Sequence, residues 1–211
     1  MRTTSLLTGL VLGAFALCAP HAQAAVTRVV TSGTTANLNL VTSIPGSRPD
    51  CTIDVWVVLM GSTTVQRTDN TTSTGAIGFV QRVDNCTDEF EFGSFNVALA
   101  ASAFTSTAGS ATLKATFPVV LDSFGPAGGT VTRTLAANLV YTNVENNSVA
   151  ARSFSMLRAP GFTLVTRGRS IYNAASFSGQ LTLGGTTLLP AQASSVASIE
   201  SATSATIDIT R

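Results

Sequence analysis

Ser110-Ala111-Thr112-Leu113-Lys114-Ala115-Thr116-Phe117-Pro118-Val119-Val120-Leu121 repeats with a period of two. Ala111, Leu113, Ala115, Phe117, Val119 and Leu121 share one parity, while Thr112, Lys114 and Thr116 share the other. Successive side chains of a strand point to opposite faces of its sheet, so this spacing predicts an extended strand with one face buried. A helix would need apolar residues three and four apart. Pro118 has no amide hydrogen to give to a ladder, so near it the strand is expected on an edge or at a bulge.

The same period continues on both sides. Thr52 to Met60 places Ile53, Val55, Val57 and Leu59 on one face and Asp54, Trp56 and Val58 on the other, and reads as a central strand. Trp56, among aliphatic neighbours, is expected in the core, with a sugar-stacking platform as the alternative. Further strands are predicted at Ala36 to Thr42, Thr63 to Arg67, Gly75 to Val83, Thr130 to Thr142, Ala151 to Leu157, Ser176 to Leu183 and Ala205 to Thr210. Between Asp88 and Ala100 the phase slips, because Phe90 and Phe92 oppose the parity of Phe95, Val97 and Leu99. A bulge at Gly93-Ser94 would absorb the slip.

Turn chemistry at Pro45-Gly46, Asp69-Asn70, Gly125-Pro126, Gly128-Gly129, Asn146-Asn147, Pro160-Gly161 and Gly184-Gly185 separates these runs. Residues 194 to 206, rich in Ser, Ala and Thr, read as a polar loop or a weak edge strand. About nine or ten short-linked strands predict an all-β, single-domain antiparallel β-sandwich, with a closed β-barrel as the alternative.

Met1-Arg2, an apolar stretch from Leu6 to Ala19 and the small-x-small Ala22-Gln23-Ala24 together predict a cleaved signal peptide over residues 1–24. The stretch is too short for a permanent anchor, and Leu17 occupies the place where a small residue precedes a lipidated cysteine, here Cys18. Cleavage would take the 211-residue chain to a domain over 25–211. The expected destination is outside the cytoplasm: extracellular, cell surface or periplasm. His21, the one histidine, lies in the signal. The exported chain would have no imidazole for a catalytic triad, a zinc site or a proton relay.

Once Arg2 is removed, the 12 Lys+Arg and 11 Asp+Glu of the full chain become 11 and 11, so the exported form carries no net charge. Its cations are scattered along the chain and Lys114 is the single lysine, which predicts neither nucleic-acid binding nor a hold on anionic membranes. A neutral, hydroxyl-rich surface resists association poorly, so self-association is expected from composition. In an exported protein Cys51 and Cys86 are expected to form a disulfide with Cα atoms roughly 4.4 to 6.8 Å apart.

Asp84, Asp88, Glu89 and Glu91 form the densest acidic group. Carboxylates beside Asn85 raise calcium binding, and a carboxylate pair raises glycosidase chemistry, but neither the spacing of an EF-hand nor any other motif is present. Alternation of Glu89 and Glu91 with Phe90 and Phe92 predicts the solvent face of a strand. Arg167 and Arg169 flank Gly168 and read as snorkelling turn residues or as partners of an acidic ligand. Asn70, Asn85 and Asn146 occupy N-x-S/T patterns.

Arg82-Val83-Asp84-Asn85-Cys86-Thr87, Gly109-Ser110-Ala111-Thr112-Leu113 and the run from Phe177 to Thr186 resemble segments of small exported bacterial β-proteins without an assigned activity. The resemblance implies an exported all-β domain and no catalytic, cofactor or metal residues. The alternating segment Val26 to Thr42, ahead of a disulfide-bonded domain, also resembles the donor segment of fimbrial subunits, although the chain ends Ile207-Asp208-Ile209-Thr210-Arg211 without their near-terminal tyrosine. The expected function is a non-enzymatic structural or interaction protein of the cell surface or extracellular matrix, partnered by itself or other surface components and needing no cofactor. The alternatives are a carbohydrate- or small-ligand-binding module and a strand-donating fibre subunit.

Overall fold

Alternation sustained over long runs gives strands longer than the turn signals suggest. The computed structural model describes residues 25–107, 109–125, 128–189 and 194–210. The expected signal at 1–24 and Pro126 of the Gly125-Pro126 turn lie outside the described residues, as does the side chain of Asn146. The strands are β1 (Ala25–Pro45), β2 (Thr52–Gln66), β3 (Thr71–Asp84), β4 (Glu89–Ala98), β5 (Phe104–Ser106), β6 (Ser110–Ser123), β7 (Thr130–Ala159), β8 (Phe162–Leu183), β9 (Thr186–Thr187) and β10 (Ser194–Thr210). The fold is all-β and its pairings are antiparallel. Among the described residues no helix is long and apolar enough to cross a membrane.

The strands run in the order β10-β1-β2-β3-β4-β6-β7-β8-β9, and β8 also pairs with β10, so the sheet returns on itself. One joint is thin. β4 and β6 share only Glu91↔Ser123 and Phe92↔Asp122 before diverging, and this flattens the ring into two packed layers, a sandwich-like arrangement. Across the interior Phe95 of β4 meets Phe117 of β6 with ring centroids 5.0 Å apart. Leu38, Leu40, Val57, Leu59, Leu113, Leu121, Leu135, Leu139 and Leu181 fill the space between the layers. Burying each of these larger side chains is worth about 1.5 to 3 kcal/mol.

β6 follows its sequence closely: its apolar parity is buried throughout and Lys114 is exposed. Pro118 pairs with Thr134 on the β7 side, whereas toward β4 the stretch from Lys114 to Leu121 has no ladder among the described residues. The missing amide falls in an edge-like stretch, as expected.

Four expectations are corrected. The β3–β4 ladder runs without a register shift from Asp84↔Glu89 to Gly75↔Ala98, so there is no bulge at Gly93-Ser94. The apparent phase slip arises because Phe90 and Phe92 lie on the outer face, and Gly93 serves the crossing of the layers: a Cβ there would lie 2.1 Å from the Val120 carbonyl oxygen. Asn146-Asn147 makes no turn, since β7 is continuous with a register irregularity between Asn143 and Ser148. Residues 194 to 206 are neither loop nor edge, for β10 is hydrogen-bonded between β1 and β8. Trp56 lies on the outer face of β2 and remains 39% exposed.

Tyr141 is fully buried, and its hydroxyl has no hydrogen-bond partner among the described residues. Burial alone pushes its pKa up, since the phenolate would be unsolvated. Tyr141→Phe keeps the ring and removes the unsatisfied group, so denaturant melts should show a gain of about 1 kcal/mol. A comparable loss would mean that the hydroxyl is satisfied in solution.

Beyond the core the second layer stops. No residue in 25–35, 62–66, 148–159, 162–172 or 200–210 is fully buried. There β7, β8, β10, β1 and β2 lie side by side as a single sheet open on both faces, an arm extending from the sandwich.

Candidate interaction surfaces

The acidic group lies at the turn joining β3 to β4. Register sets Arg82 opposite Glu91 and Asp84 opposite Glu89, all on the inner parity. Arg133 of β7 reaches Glu91 with Nε 2.6 Å from Oε2 and with a second guanidinium nitrogen on Oε1. Arg82 adds a 3.3 Å contact to Glu91 and a 2.7 Å bond to Asp84, whose Oδ1 accepts the Cys86 amide at 2.9 Å. Glu89 accepts from the Ser123 hydroxyl at 3.0 Å.

The expectation of a solvated acidic face is therefore overturned, because Glu91 is 0% exposed. The short turn fixes which parity turns inward, and Arg82 and Arg133 compensate the charge that this buries. Asp88 stands apart on the turn at φ 56°. Among the described residues no group of three or more acidic, cysteine or histidine side chains is arranged to hold a metal ion. The cluster joins the two layers and leaves a hollow of about 70 Å³ beside Arg82 and Arg133.

On the same end Cys51 and Cys86 are joined by a disulfide, with Cα atoms 5.3 Å apart. Gly46 packs against it so closely that a Cβ would lie 2.2 Å from the Cys86 sulfur. Asn85 donates to Asp54 at 2.9 Å and Ser43 donates to it at 2.5 Å. These bonds, the Ser43 bond foremost, hold the Asp54 carboxyl below its ordinary value. The bond closes a loop of sequence separation 35. Replacing both cysteines by serine should cost about 3 to 4 kcal/mol in denaturant melts. An unchanged midpoint would show that the loop is already constrained in the unfolded chain.

A row of rings crosses the outer face of β2, β3 and β4. Trp56 meets Phe79 edge to face at 4.9 Å, and Phe79 meets Phe92 at 5.9 Å. The indole Nε1–H donates to Asn39 Oδ1 at 2.7 Å. Register sets Val41 beside Trp56, and Gln81 between Trp56 and Phe92. Aromatic faces beside amides are what a sugar ring needs, and a single tryptophan read in sequence gave no sign of this company.

The arm gathers what the sequence scatters. Past the irregularity at Asn143/Ser148 the facing parity of β7 switches, so Arg152 lies opposite Arg169 and Phe154 opposite Arg167. The Arg167 guanidinium stands 5.8 Å above the Phe154 ring. Arg158 joins this face from β7, and Arg28 joins it from β1 through the β10 register. Glu200, Asp208 and the Thr166–Thr206 hydroxyl pair, 3.4 Å apart, occupy the other parity. Among the described residues none of these five arginines forms an ion pair.

The arm's lateral edge is also open. β7 pairs with β6 only as far as Ser110↔Thr142, and from Ser148 to Ala159 its sole ladder partner among the described residues is β8. Every residue of that stretch is exposed. β1, the expected donor segment, is hydrogen-bonded to β10 and β2 of its own chain, so donation would require withdrawing it from both.

No family model, curated protein or solved structure matches this chain.

Proposed function

We propose that the protein is an exported, non-enzymatic structural subunit of the cell surface or extracellular matrix that works through its arm. The observation that carries this reading is the open edge from Ser148 to Ala159, roughly 40 Å of strand with one side of its backbone unpaired. Natural sheets blunt such edges with charged side chains, prolines, bulges or covering loops, because an open row of amides and carbonyls templates another strand; from Ser148 to Ala159 the charges are Arg152 and Arg158 alone, and no proline interrupts the run. Here Val149, Phe154, Met156 and Leu157 are exposed along it. The disulfide suits an oxidising compartment, and within the acidic group Asp84 and Glu91 are engaged by Arg82 and Arg133.

The edge is complementary to itself. Antiparallel pairing about Phe154 sets Phe154 against its own copy, Arg152 against Met156 and Arg158 against Ala150, so no like charges stand directly opposite. The result is a two-fold dimer with one continuous sheet. Sedimentation velocity at rising concentration should show a dimer, and Ser153→Lys with Ser155→Lys should return it to monomer without lowering the melting temperature. A wild-type chain that stays monomeric at high concentration would refute edge assembly.

The aromatic row supports a second reading, a carbohydrate-binding module. A glycan that stacks on Trp56 should raise thermal stability by mass action, about 2.7 kcal/mol at a hundredfold excess over Kd, and Trp56→Ala should abolish the rise. Trp56→Ala itself should cost no more than about 1.5 kcal/mol, since the ring is part exposed. A glycan array without a hit removes this reading.

A further inference from the structure

We infer that the arginine face of the arm docks onto an anionic lipid surface. The inference rests on the reading of the arm as the working part of the molecule and names what its uncovered face meets. Arg152 and Arg169 stand directly opposite on neighbouring strands, with Arg167 two residues from Arg169 on the same face. Like charges in that relation destabilise a sheet pair unless anions separate them, and no carboxylate of the described chain does so. Glu200 and Asp208, the acidic residues within the arm's own stretches of these strands, project from the opposite face.

The face is amphipathic as well as basic. Val165 and Ile207 lie between the arginines on the same parity, and Phe154 stands 60% exposed with Arg167 over its ring. A linear polyanion would call for the cations alone. A headgroup layer offers phosphates to the guanidiniums and acyl boundary to the apolar side chains between them, and this face presents both kinds of group together. Edge pairing about Phe154 matches even-numbered residues with even-numbered ones, so a dimer would present both arginine faces to one side.

The test uses the protein purified after export and vesicles of phosphatidylcholine, alone or with roughly a third phosphatidylglycerol. At about 50 mM salt it should float with the anionic vesicles and not with the neutral ones, and about 0.5 M salt should release it. Arg152→Ser with Arg169→Ser should lower the partition about twenty-five-fold, near fivefold per arginine, without lowering the melting temperature. Phe154→Ser should weaken binding to the anionic vesicles at the lower salt concentration, with all the arginines in place. Glu200→Gln with Asp208→Asn, on the opposite face, should not weaken it.

Equal flotation with neutral vesicles, no flotation with anionic ones, or a double arginine variant that binds as wild type would each overturn the inference. So would arginine-dependent capture by a soluble polyuronate without vesicle binding, which would assign the face to an acidic polysaccharide. Loss of vesicle binding in a chain that still dimerises rejects the lipid and leaves edge assembly standing. A monomer that binds anionic vesicles does the reverse.

Discussion

Glu91→Gln should remove about 3 to 5 kcal/mol of folding stability, the cost of breaking a buried ion pair from one side. The Glu91 side chain is 1% exposed and meets Arg133 through both carboxylate oxygens and Arg82 through one. The hydrogen bond to Glu91 is the chief reason that the Arg133 pKa is raised, with burial opposing it. An arginine does not discharge at any ordinary pH, so removing the carboxylate leaves its cation half-buried and unpaired. Arg82 fares better because Asp84 still holds it at 2.7 Å. Glu91→Leu with Arg133→Leu, which removes both charges, should recover most of the loss. A Glu91→Gln cost below about 1 kcal/mol would put the residue back on a solvated face.

Glu91 also marks where sequence reasoning stopped. Alternation located β2, β4, β6 and the core halves of β7 and β8, because a half-buried strand declares its parity wherever one face is greasy. For β4 the pattern gave the period and mistook the side. Glu91 sits inward because Arg82, across the short β3–β4 turn, and Arg133, 42 residues further along the chain, both meet it, whereas Phe92 sits outward among Trp56 and Phe79. Long-range pairing of this kind leaves no local trace.

The arm was hidden for a different reason. Its residues alternate weakly, since neither face is deeply buried, and Asn146-Asn147 looks like a turn when it lies within a strand that shifts register. That shift decides the surface: without it, Asn147, Val149 and Ala151 would hold the positions that Ala150, Arg152 and Phe154 occupy. Basic residues scattered along the chain thus became one face, which no count of sequence neighbours foretells. The disulfide needed only two cysteines and an export signal to be expected.

Phe117→Ala should be the costliest truncation in β6, at about 3 to 5 kcal/mol. Phe117 is 5% exposed and packs against Phe95 at the level where β4 and β6 have already separated. Backbone bonds there no longer tie the two layers, so side-chain contact carries the junction. The alanine variant would lose the ring's transfer energy and leave a void facing Phe95, with Pro118 next in the chain limiting how β6 shifts to close it. Phe117→Leu, which fills most of that space, should cost only about 1.5 kcal/mol. Lys114 is exposed on the opposite parity, and Lys114→Ala should move the denaturant midpoint by no more than about 0.5 kcal/mol in free-energy terms. If urea melts ranked Lys114→Ala as the more damaging, the inward parity of β6, and with it the packing of the two layers, would have to be reversed.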